Sequence, residues 1–199
     1  MAHAVQPAAP PAEEGIGVYT QKLGMWVFLA SEVMFFTALI GTYIILRWGS
    51  AESWPVPQDI LNIPLTAFNT FVLICSSVSM VKAYAAATHD DQKGLRLWLV
   101  LTVLAGATFV GVQLLEYRHL IHDGFTLPSG NFPATFYVIT SFHGAHVFTG
   151  VCYLLLTAFG VWRGKHLENG ANFVEITGLF WHFVDLVWIL VFTLVYLIP

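Results

Sequence analysis

The stretch WVFLASEVMFFTALIGTYIIL, Trp26 to Leu46, carries one charged side chain, Glu32, in a run that is otherwise apolar or weakly polar. A bilayer's hydrocarbon core needs roughly 20 such residues to be crossed by a helix, and this run is long enough. The rest of the chain agrees. Of 199 residues 57% are hydrophobic and only 10% charged, against roughly a quarter charged in a soluble protein. Mean hydropathy is +0.70. The composition is that of a membrane protein, and Glu32 is the anomaly within it.

The same criterion predicts five spans: Leu23 to Leu46, Pro64 to Ala87, Leu95 to Tyr117, Ala134 to Trp162 and Gly178 to Ile198. Backbone groups in hydrocarbon must bond within their own segment, and the alternating short segments of a transmembrane barrel are absent, so the spans read as helices. The expected fold is an all-α integral membrane bundle of five helices, residues 23–199, preceded by a Pro/Ala-rich disordered tail at residues 1–22. Threading the helices alternately puts Lys22, Lys82, Lys93, Arg96, Arg163 and Lys165 on one side and Arg47 and Arg118 on the other. That six-to-two division predicts a cytoplasmic N-terminus and an outside C-terminus. The connections are short and punctuated by Pro and Gly, which confines the chemistry to the bilayer. A net charge of −4 argues against nucleic acid as a partner. Cys75 and Cys152 lie mid-helix in different spans and read as small packing residues.

Depth sorts the ionisable groups. At 1.5 Å per residue Glu32 lies about 14 Å from its end of the first span, and its neighbours Phe28, Leu29, Phe35 and Phe36 offer no countercharge. A carboxylate buried there must be protonated or paired across helices. The fourth span contributes FHGAHVFTG, in which His143 and His146 are three apart and about 14 to 18 Å deep. They are the expected partners of Glu32. Gly144 and Gly150 would let another backbone approach that helix. The fifth span carries WHFVDLVW, with His182 and Asp185 again three apart and able to satisfy each other on one helix. Glu116 and His119, beside Arg118, fall at the outer end of the third span, where they can reach headgroup water. Phe28, Phe35 and Phe36 read as packing or lipid-facing surface.

Other classes fit less well. A di-iron bundle needs two E-x-x-H motifs at one depth with two further carboxylates, and only EYRH, Glu116 to His119, occurs. Bis-histidine haem ligation needs two rings from facing helices, whereas His143 and His146 share one. A free-standing membrane metalloprotein therefore finds little support, and no metal or catalytic residue is assigned. Transporters show inverted repeats and helices broken near the midplane; five spans do not divide into equal halves, and the prolines within and between them sit at loops or helix ends.

The segments GMWVFLASEVMFF, FNTFVLICSSVSM, QLLEYRHLI, FYVITSFHGAHVFTGVCYL and LFWHFVDLVWILVFTLVYL together resemble subunit III of the haem-copper terminal oxidases, from about Gly24 to Ile198. The resemblance implies an accessory subunit of a proton-pumping respiratory complex in a bacterial plasma membrane. Haem and copper would be held by subunits I and II, and this chain would buttress the proton-uptake side of subunit I and bind phospholipid. It implies a buried polar network of Glu32, His143, His146, His182, Asp185 and Glu116. Arg163 and Lys165 stand at the end of the fourth span, where anionic headgroups lie. The electron donor stays open between cytochrome c and quinol, and an accessory subunit of a nitric oxide reductase is similar. Longer members have two further helices before the SE motif and a lipid cleft between those and the other five; this chain has only the five. An alternative role within the family is that Glu32 itself exchanges protons.

Overall fold

A computed structural model describes residues 20–50, 54–163 and 170–198. The expectation of a disordered tail over residues 1–19, and that of a headgroup contact at Lys165, lie outside the described residues. Five long apolar helices form: α1 (Thr20–Gly49), α3 (Ile63–Thr88), α4 (Gln92–His122), α5 (Asn131–Trp162) and α6 (Gly170–Val191), with a single turn, α2 (Pro57–Ile60), between the first two. The protein is thus a multi-pass, all-α integral membrane protein. Each helix begins before its predicted span, and α1, α3 and α4 also end beyond theirs. Thr20 to Lys22, assigned above to the tail, form the first turn of α1. The start of α6 moves furthest: Gly170 to Thr177, read as part of a connection, are already helical.

The helix ends follow local chemistry. Asn62 caps α3 by accepting from Leu65 N at 3.2 Å, with Pro64 in the first turn, where no amide donor is needed. Asp91 caps α4 through Gly94 N at 3.0 Å. After α4 the chain turns through Gly124 at φ +81°, a conformation costly for a residue with a Cβ. At its far end α6 continues as a π-helical turn, Phe192–Leu197.

Packing is uneven. α6 touches α1, α3 and α5, and α4 packs on both α3 and α5. Half of the most apolar window of α6 is buried, against 11% for α1, so α6 is the central post and α1 the outlying helix. Trp181 of α6 fixes the centre. Its ring lies against Gly106 of α4, where an added Cβ would overlap it, and against Gly150 of α5, where an added Cβ would stand 3.0 Å away. Gly150 thus admits a side chain and not the backbone expected from the sequence. Gly144 faces the Gln113 side chain. In lipid, where no hydrophobic force drives helices together, such close contacts through small residues supply the association energy.

Candidate functional site

α1 and α5 bring Glu32 and His146 together. Glu32 Oε2 lies 3.1 Å from His146 Nε2, and both side chains are less than a fifth exposed. Around them stand the rings of Phe35 and Phe36, the latter edge-on to the imidazole at 5.1 Å. The other imidazole nitrogen, Nδ1, is 2.7 Å from the Phe142 carbonyl oxygen. A carbonyl only accepts, so Nδ1 carries a hydrogen. The contact between Nε2 and Oε2 then requires one more proton, resident on either partner. The result is an ion pair or a neutral acid donating to an imidazole; both are neutral overall, which is what a hydrocarbon environment tolerates. Beside the pair runs an apolar groove of about 310 Å³, lined by Met25, Phe28, Ala145, His146, Thr149, Tyr153 and Phe180.

His143 does not join them. It is wholly buried on the other flank of α5, stacked on Trp188 at 4.7 Å and edge-on to Phe109 at 5.8 Å. Neither of its ring nitrogens has a hydrogen-bond partner. Residues three apart on a helix differ by about 60° in direction. Near the middle of a bundle that angle separates the flank facing α1 from the one facing α4 and α6. The same geometry splits the other two expected pairs. Asp185 Oδ2 accepts from Ser77 Oγ of α3 at 2.6 Å and not from His182, while Asp185 Oδ1 is buried without a partner. Glu116 turns inward and is 8% exposed, whereas His119 faces out and contacts Asp123 at 2.9 Å. Glu116 is therefore no interfacial anchor: its oxygens meet Thr66 Oγ1 at 3.1 Å and Tyr196 OH at 3.4 Å.

One feature without a counterpart in the sequence reading is a ladder along α3. Thr66 meets Glu116, Thr70 accepts from Trp188 Nε1 at 2.8 Å, Ser76 accepts from Trp181 Nε1 at 2.9 Å, and Ser77 binds Asp185. Asn69 Nδ2 donates to the Phe109 carbonyl oxygen at 3.2 Å. The signal was present in TAFNTFVLICSSVSM: small polar residues recurring at helical spacing in an apolar segment mark a buried face. The six residues expected to form one network thus belong to separate clusters. Glu32 and His146 join α1 to α5, Glu116 and Asp185 hang on α3, and His143 sits among aromatics.

Where helices α1 and α6 begin, Lys22 Nζ donates to Glu175 Oε1 at 2.6 Å. Arg163, at the end of α5 on that same side, lies over the Phe159 ring at 4.4 Å. At the opposite end Arg47 Nη1 donates to the Ile198 carbonyl oxygen at 3.3 Å. Among the described residues, no three His, Cys, Asp or Glu side chains are gathered closely enough to hold a metal ion.

Residues 15–198 match the protein-family profile described as cytochrome c oxidase subunit III. Among curated proteins, the chain is 34% identical over 178 residues to the probable quinol oxidase subunit 3 of Staphylococcus saprophyticus, covering 89% of this chain and 88% of that one. To the cytochrome c oxidase subunit 3 of Bacillus sp. strain PS3 it is 33% identical over 192 residues, 96% of this chain and 92% of the relative. To the probable cytochrome c oxidase subunit 3 of Mycobacterium tuberculosis it is 38% identical over 177 residues, 89% and 87% respectively.

Proposed function

Because this chain belongs to the cytochrome c oxidase subunit III family, we propose that it works as the accessory subunit III of a bacterial haem-copper terminal oxidase in the plasma membrane, joined to subunits I and II. In this reading the haems and coppers sit on those partners. This chain supplies a stiff helical buttress at the side of subunit I where protons enter. Its N-terminus faces the cytoplasm, in keeping with the six-to-two distribution of Lys and Arg, and anionic phospholipid lies near Arg163.

The observation that carries the buttress role is the contact between Glu32 and His146, 3.1 Å, near the middle of both helices. It ties the thinly packed α1 to α5 through groups that have no competing water, so the register of the two helices is set by one geometry. Among the described residues, neither has a second titratable group at bonding distance to pass a proton to, which favours a structural lock over proton exchange. In the assembled oxidase, Glu32→Ala is expected to shorten the working lifetime several-fold while initial turnover stays near that of the parent. Lost initial turnover in a fully intact complex would contradict the role.

The electron donor divides two readings, and relatives of both kinds are similar to this chain, a quinol oxidase subunit at 34% identity and cytochrome c oxidase subunits at 33% and 38%. Copurifying the partner chains and assaying the complex with reduced cytochrome c and with quinol decides between them.

A further inference from the structure

Glu116 is a buried carboxyl on the α3 face, 8% exposed, and its contacts leave one hydrogen to serve two acceptors unless it brings a proton of its own. Thr66 Oγ1 lies 3.0 Å from the Asn62 carbonyl oxygen and 3.1 Å from Glu116 Oε1. A threonine hydroxyl has one hydrogen, and both neighbours would be acceptors if Glu116 were ionised. The two oxygen–oxygen contacts would then have to share one hydrogen. Among the described residues, the other carboxyl oxygen, Oε2, receives only the Tyr196 hydroxyl at 3.4 Å. No ion pair among the described residues includes Glu116. The titratable groups around it are Tyr117 beside it on α4, Tyr137 of α5 and Tyr196 of the π-helical turn. None supplies a positive charge.

We propose that Glu116 is a proton-binding site, its carboxyl protonated on Oε1 and donating to Thr66 Oγ1 while Oε2 accepts from Tyr196. Every contact then has one hydrogen: Thr66 keeps its own for the Asn62 carbonyl, in the first turn of α3, and its oxygen accepts from the acid. Loss of the proton would oblige Thr66 to turn its hydrogen from Asn62 to Glu116. The protonation state of Glu116 is therefore tied to the side-chain lock at the start of α3. This lies near the opposite end of the bundle from the pairing of Lys22 with Glu175, and it holds whichever electron donor the complex uses.

Infrared difference spectroscopy tests it on the complete, purified complex. Parent minus Glu116→Gln is expected to show a protonated-carboxyl C=O band, sensitive to deuterium exchange and present at neutral and alkaline pH. A lost carboxylate band in its place would overturn the proposal. Since a glutamine amide both donates and accepts, as a protonated acid does, Glu116→Gln should keep its working lifetime within about twofold of the parent. Thr66→Val removes the acceptor without touching the acid and should move the same band to higher frequency. A band left unmoved would overturn the assignment of the proton to the contact with Thr66.

Discussion

α1 and α6 have comparable hydropathy, 1.9 and 2.0, yet 11% of one window is buried and half of the other. They are held by different physics. α6 is gripped along its length: Trp181 fills the gap at Gly106 and Gly150, and the indole N–H groups of Trp181 and Trp188 meet hydroxyls of α3. α1 has polar clasps at three levels instead, Lys22 to Glu175, Glu32 to His146 and Arg47 to Ile198, with aromatic rings between. Burial area cannot distinguish a lipid-facing from a protein-facing apolar helix, because lipid is as apolar as leucine. Polar contacts can, and they tell where a helix must stay.

The contrast is sharpened by removing one element from each region. The largest effect belongs to the centre: Trp181→Ala should destabilise the bundle by about 3 kcal/mol, the lower end for such truncations since lipid removes the hydrophobic part. Reversible unfolding in detergent or bicelles measures it. Next comes Thr70→Val, which leaves the Trp188 indole N–H without its acceptor in a dry interior and should cost about 1 kcal/mol by the same assay. Smallest is Lys22→Met, at the membrane surface, where salt screens the pair with Glu175. Its thermal shift should fall below that of Thr70→Val and vanish at high ionic strength. An inversion of this order would mean that α1, not α6, is the post on which the bundle stands.

Much of this was legible before any coordinates. Length and hydropathy fix five spans, and counting 1.5 Å per residue correctly placed Glu32 and His146 at one depth. What stayed hidden was direction around each helix. His143 and His146, His182 and Asp185, and Glu116 and His119 are each three apart, and the 60° between such residues becomes decisive once neighbours on both sides compete for them. Tyr196 reaches Glu116 from a π-helical turn, whose extra residue per turn changes the register in a way that apolar composition does not encode. Gly106 gave no sign of its role, because the ring that needs the space comes from Trp181, 75 residues further along the chain.

The lock between α1 and α5 is tested most directly by a double-mutant cycle on unfolding free energy. Glu32→Ala and His146→Ala should be coupled by about 1 kcal/mol, within the ~0.6–1.7 kcal/mol that double-mutant cycles give for interhelical polar contacts in a membrane. Glu32→Ala and His143→Ala should instead be additive within about 0.5 kcal/mol. Additivity in the first cycle, or coupling in the second, would contradict the arrangement described for α1.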